Sequence, residues 1–130
     1  MSKSKNNFIN IFLPDKKLRK QVMTIATDST PLEEPKNPDT CNVFALYKLL
    51  GTESQIAELR KKYLAGNFGY GHAKQELFEL IIDKYSVERE RFNYFMENPE
   101  EVDRLLKIGE EKARKIAAKV LKRVREKLGY

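Results

Sequence analysis

Asn98-Pro99-Glu100-Glu101-Val102-Asp103-Arg104-Leu105-Leu106 opens the segment whose reading decides the fold. Asparagine is a preferred N-cap, and proline suits the first helical position, where an N–H would lack a partner anyway. Two acids in the first turn match the positive end of the helix dipole. Val102, Leu105, Leu106, Ala113, Ile116, Ala117, Val120, Leu121, Val124 and Leu128 then recur every three or four residues, so the spacing predicts one helix to about residue 128. Its second half is basic, with Lys112, Arg114, Lys115, Lys119, Lys122, Arg123, Arg125 and Lys127 against Glu126.

Upstream, the same periodicity predicts helices over 87–97, with Phe92, Phe95 and Met96 apolar, and over 72–85, with Leu77, Leu80, Ile81 and Ile82 inward. Another is expected over 53–65, capped by Gly66, and another over 40–50, ended by Gly51 and apolar on most sides. Asp15 is expected to cap a first helix over 15–26 carrying Leu18, Val22 and Met23. Before it, residues 8–13 (Phe-Ile-Asn-Ile-Phe-Leu) read as a short extended run closed by Pro14. The expected fold is all-α, a bundle of five to six helices.

One connection stands out. Residues 27–39 hold three prolines, at 31, 35 and 38, which forbid a helix and favour an extended path. A loop of this length in a compact domain is more often functional than idle. Residues 66–71 are glycine-rich before a helix, but no strand precedes them, so they read as a cap and turn rather than a phosphate cradle. His72 has no patterned partner and reads as a capping or surface residue.

The chain has 130 residues, enough for a single core, with 41% hydrophobic and 34% charged residues, a composition of folded rather than disordered domains. The net charge of +6 suits a polyanionic partner or a solvated basic surface equally. The single cysteine, Cys41, cannot form an internal disulfide, which points to a reduced cytoplasmic setting. Asn6, Asn7 and Asn10 interrupt the apolar run near the start, against a signal peptide, and no apolar run reaches the roughly 18 residues of a membrane span.

Chemistry is concentrated at the start. Met1-Ser2-Lys3-Ser4 places two hydroxyls about a lysine, a group of donors that suits a phosphate. By itself the stretch also reads as a frayed terminus.

Three stretches together resemble the C-terminal portion of bacterial-type tryptophanyl-tRNA synthetases. Met1-Ser2-Lys3-Ser4 with Asn6-Asn7 is similar to the class I signature loop Lys-Met-Ser-Lys-Ser. The others are Thr27-Asp28-Ser29-Thr30-Pro31 through Asn37-Pro38-Asp39-Thr40-Cys41-Asn42, and Gly69-Tyr70-Gly71-His72-Ala73-Lys74. The resemblance covers essentially the whole chain. It implies residues 1–14 as signature loop and connector, and residues 15–130 as a helical anticodon-binding domain.

The implied activity is an ATP-dependent ligase that forms tryptophanyl-adenylate and transfers the aminoacyl group to tRNA(Trp). Lys3 matches the lysine that stabilises the leaving pyrophosphate, with Met1, Ser2 and Ser4 beside it on ATP. The family uses Mg2+ with ATP as substrate. Asp28, Lys115, Lys119 and Lys122 are the residues expected to face tRNA, and the parent is expected to be a homodimer through its Rossmann domain. The family loop has a lysine before its methionine, and this chain begins at the methionine, with no Rossmann domain. Cys41 alone cannot hold the iron–sulfur cluster of some family members. The expectation is therefore a fragment without adenylate-forming activity of its own. A free-standing helical tRNA-binding module is the alternative; a DNA-binding protein is disfavoured, since no tight turn sets up a polar recognition helix.

Overall fold

The computed structural model describes residues 8–129, and among them it holds six α-helices and one 3-10 turn, with no strand. In chain order these are α1 (Asp15–Met23), η1 (Pro38–Thr40), α2 (Asn42–Leu50), α3 (Glu53–Ala65), α4 (Tyr70–Lys84), α5 (Ser86–Glu97) and α6 (Pro99–Leu128). The chain divides into two compact units between Arg89 and Glu90, inside α5.

The core of the first unit follows the apolar spacing. Leu18 and Val22 of α1, Phe44 and Tyr47 of α2, Leu59 and Tyr63 of α3, and Leu77 and Ile81 of α4 form one buried cluster. Helix α4 packs against both α1 and α2. Tyr63 is the aromatic centre of the cluster, with Phe44, Phe68 and Tyr70 at ring distances of 5.4, 5.8 and 6.3 Å. Burial pushes the Tyr63 hydroxyl well above the ordinary tyrosine value, and that hydroxyl lies 3.4 Å from the buried Cys41 Sγ.

Caps define the helix ends. Thr52 and Gln55 form a reciprocal capping box at the start of α3. Gly66 ends α3 at φ 74°, and a Cβ there would meet the Glu33 carbonyl oxygen at 2.5 Å, so both backbone angle and space require glycine. Lys84 Nζ donates to the Leu50 carbonyl at the end of α2 over 2.7 Å.

Several sequence expectations are corrected. Helix α1 stops at Met23 rather than 26, because the Thr24 hydroxyl turns back to the Gln21 carbonyl at 2.7 Å and competes with further helix. Pro14, not Asp15, occupies its N-cap position. Helix α4 starts two residues early, at Tyr70, with Gly69 before it. Helix α2 is not apolar-buried on most sides, since Leu49 is exposed. Phe92 and Met96 of α5 are exposed as well.

Residues 8–13 are not an extended run. The Asn10 side chain accepts from the Phe12 N–H at 3.1 Å, and the Leu13 N–H closes a turn on the Asn10 carbonyl at 3.2 Å. Ile9, Ile11 and Leu13 of this turn pack on the core.

In the second unit, α6 holds 30 residues and is about 45 Å long at 1.5 Å per residue. Asn98 stands at its N-cap position, but the side chain instead donates to the Tyr94 carbonyl of α5 at 2.7 Å. Arg104 braces the first turn through both oxygens of Glu101, each at 2.7 Å. The apolar stripe of α6, including Leu106, Ile116 and Leu128, is exposed.

Candidate functional site

Met1, Ser2, Lys3 and Ser4 lie outside the described residues. The structure places the other sequence-derived candidates in two settings, one in each unit.

On α6, Lys115, Lys119 and Lys122 are all exposed. At 3.6 residues per turn they fall within about 60° of arc, and Val120 and Val124 face the other way. The helix thus carries a cationic face and an apolar face on opposite sides. Lys122 has only a loose partner, Glu126 at 3.8 Å, so its charge stays largely available.

In the first unit, Asp28 organises the proline-rich loop. Its Oδ1 accepts from the Thr30 N–H at 3.0 Å and from the Tyr70 hydroxyl at 2.7 Å. Hydrogen bonds from Thr30, then from Tyr70, hold its carboxyl below the ordinary aspartate value. Tyr70 is pushed up to about 12, first by burial and then by its hydrogen bond to Asp28.

The residue at the centre of this loop is one that sequence reasoning missed. Lys36 is 2% exposed, the sole buried charged side chain among the described residues. Its ammonium donates to the Pro31 carbonyl at 2.8 Å, Leu32 at 3.3 Å and Glu34 at 3.1 Å. It also sits 5.4 Å from the Tyr70 ring centre. Its backbone N–H meets the Tyr63 carbonyl at 2.7 Å, tying the loop to the end of α3. The prolines set the path, and one buried cation gathers three carbonyls that would otherwise need water. Further along, Asn37 caps η1 and Asp39 pairs with Arg60 of α3.

The pH dependence has a definite sign. A depressed Asp28 value means that its bonds stabilise the fold above about pH 4, the unfolded value, and that this is lost as pH falls through the folded value. Tyr70 works oppositely: its contribution is complete below about pH 10 and is lost as pH rises through about 12. Asp28→Asn is expected to flatten the acid limb of stability against pH. In the same variant the Tyr70 midpoint should fall yet stay above its ordinary value, because burial is the larger cause; ring NMR of Tyr70 reads this directly.

The remaining groups are ordinary. His72 is exposed, 5.8 Å from the Phe68 ring. Among the described residues no group of three or more His, Cys, Asp or Glu is placed to hold a metal ion. None of their helices is long and apolar enough to cross a membrane. An apolar groove of about 780 Å³ runs beside the turn of residues 8–13, lined by Phe8, Ile9, Ile11, Leu46, Leu49 and Tyr85 among others.

The comparisons with known proteins agree with one another. No family model matches the chain. A tryptophan–tRNA ligase of Fusobacterium nucleatum is 49% identical over 129 residues, which is 99% of this chain and 39% of the relative. One from Campylobacter jejuni is 43% identical over the same length, 40% of its own. The crystal structure of the Campylobacter jejuni tryptophanyl-tRNA synthetase complexed with ADP and tryptophan superposes with a TM-score of 0.96 at 43% identity, covering 100% of this chain and 41% of that one.

This chain is homologous to the C-terminal part of tryptophan–tRNA ligase.

It spans about two-fifths of the length of the tryptophan–tRNA ligases it matches. The fold, all-α with a long proline-rich loop and a long C-terminal helix, is accordingly similar to that of the matching part of the Campylobacter jejuni synthetase.

Proposed function

We propose that this chain serves as the C-terminal part of a tryptophan–tRNA ligase, activating L-tryptophan with Mg2+-bound ATP and charging tRNA(Trp). The observation that carries this reading is identity of up to 49% across 99% of the chain to proteins of that name. Residues 1–14 act as signature loop and connector, and residues 15–130 as the tRNA-reading domain. Lys3 is the catalytic group, with Met1, Ser2 and Ser4 beside it on ATP. Charge grows on the departing pyrophosphate in the transition state, so a cation meeting it there lowers the barrier selectively. The parent works in the cytoplasm as a homodimer through its other domain.

Asp28 shapes the loop that faces tRNA, and Lys115, Lys119 and Lys122 contact the tRNA backbone. The exposed, single-sided placement of these lysines supports that role. Removing one lysine–phosphate pairing should lower the slope of log affinity against log salt by about one. In the ligase, Lys115→Glu with Lys119→Glu is expected to weaken tRNA(Trp) binding and lower that slope by about two, while adenylate formation is unchanged. Filter binding at several salt concentrations decides it: an unchanged slope removes these lysines from the interface.

A further inference from the structure

The turn of residues 8–13, which leads from the signature stretch into α1, is held by two side chains from distant parts of the first unit. Gln21 of α1 reaches back across it. Its Oε1 accepts from the Asn10 N–H at 3.0 Å, and its Nε2 donates to the Phe8 carbonyl at 2.8 Å. Arg89 of α5 reaches in from far along the chain. Its Nη1 donates to the Leu13 carbonyl at 3.1 Å and also to the Ile11 carbonyl, and its Nη2 meets Asp15 Oδ1 at 2.5 Å. The Arg89 side chain is only 14% exposed.

The pattern is unusual for a surface connector. Backbone groups of Phe8, Asn10, Ile11 and Leu13 are all taken up by these two side chains, rather than by a partner strand or by neighbours in a helix. A primary amide offers both donor and acceptor, and a guanidinium offers a planar fork; each fits two backbone groups at fixed geometry. Ile9, Ile11 and Leu13 anchor the same turn on the core from the other side. Residues 8–13 are thus held from two sides, by these side chains and by the core.

We infer that Gln21 and Arg89 are positioning residues for the pyrophosphate-stabilising loop, bolting its base to the helical domain. The inference rests on the reading of residues 1–4 as that loop. Neither side chain touches substrate. Each acts through the residues it holds, and an error of about 1 Å at a reacting group can cost on the order of a hundredfold in rate.

The test uses the ligase carrying this chain as its C-terminal part. Gln21→Leu, Gln21→Glu, Arg89→Gln and Lys3→Ala are compared in tryptophan-dependent pyrophosphate exchange, with kcat and each KM determined separately. Gln21→Leu and Arg89→Gln are expected to lower kcat about ten- to a hundredfold while leaving the KM for tryptophan and the tRNA affinity unchanged. Gln21→Glu keeps the acceptor for Asn10 but sets a carboxylate oxygen against the Phe8 carbonyl, so its loss of kcat should match or exceed that of Gln21→Leu. In Gln21→Leu, which removes no charge, the Asn10 amide should exchange with solvent faster while the unfolding midpoint changes little.

Unchanged kcat in the Gln21 and Arg89 variants, with activity abolished in Lys3→Ala, overturns the inference and leaves the loop assignment standing. Parallel loss of kcat, tRNA affinity and thermal stability also overturns it, because the residues would then be merely structural. Full activity in Lys3→Ala overturns the loop assignment itself, and the bolt with it.

Discussion

Replacing Lys3 by alanine in the ligase is expected to lower the rate of tryptophanyl-adenylate formation about 10²- to 10³-fold, the usual cost of removing one charge-stabilising donor from a transition state. The loss should fall on kcat rather than on the KM for tryptophan, since in the proposed role the charge that Lys3 meets develops only as pyrophosphate leaves. Lys3→Arg is expected to recover part of the rate, because it keeps the charge but presents it as a broader planar group. Affinity for tRNA(Trp) should not change, as none of the residues proposed to meet tRNA is altered. Pre-steady-state adenylate formation separates these effects from product release. A fall in tryptophan affinity with kcat preserved would mean that Lys3 acts in binding rather than in the chemical step.

Replacing Lys36 by methionine is expected to lower the stability of the chain by about 3 kcal/mol, a large share of the roughly 5–15 kcal/mol typical of a domain. Methionine keeps most of the apolar length of the side chain. What it removes is the ammonium that serves the Pro31, Leu32 and Glu34 carbonyls. Those carbonyls must then find water or stay unpaired, and the cation no longer sits over the Tyr70 ring. Lys48→Met, on an exposed face of α2, should change stability by less than about 0.5 kcal/mol. Urea unfolding of both variants gives the comparison. Equal midpoints would mean that the loop is held by its prolines alone.

The two variants probe features that the sequence disclosed very unequally. Both ends of helix α6 were legible: proline at its first position and acids in its first turn mark the start, and apolar spacing carries it to Leu128. The irregular path of residues 27–39 was legible from its prolines. Lys36 was not, because a lysine between prolines in a polar segment gives every sign of being solvated; only the fold brings three carbonyls around it. The apolar run of residues 8–13, read as extended, misled for a related reason. An apolar run reports that side chains can enter a core, and Ile9, Ile11 and Leu13 do. It does not say what receives the backbone groups, and here Gln21 and Arg89 receive them instead of a second strand. The early start of α4 has a tertiary cause too: beginning at Tyr70 puts that ring against Tyr63 and its hydroxyl on Asp28. The sequence singles out Asp28 and the α6 lysines as candidates, but not the hydrogen bonds that Asp28 accepts from Thr30 and Tyr70.

The central claim, that this chain is the working C-terminal part of a tryptophan–tRNA ligase, is tested most directly by exchange. The corresponding two-fifths of the Campylobacter jejuni enzyme, 43% identical and superposing at a TM-score of 0.96, is replaced by this chain, and charging of tRNA(Trp) with tryptophan is measured. The expected result is tryptophan-specific charging that Lys3→Ala abolishes. A folded chimera that binds ATP and tryptophan yet neither forms adenylate nor charges tRNA(Trp) would contradict it.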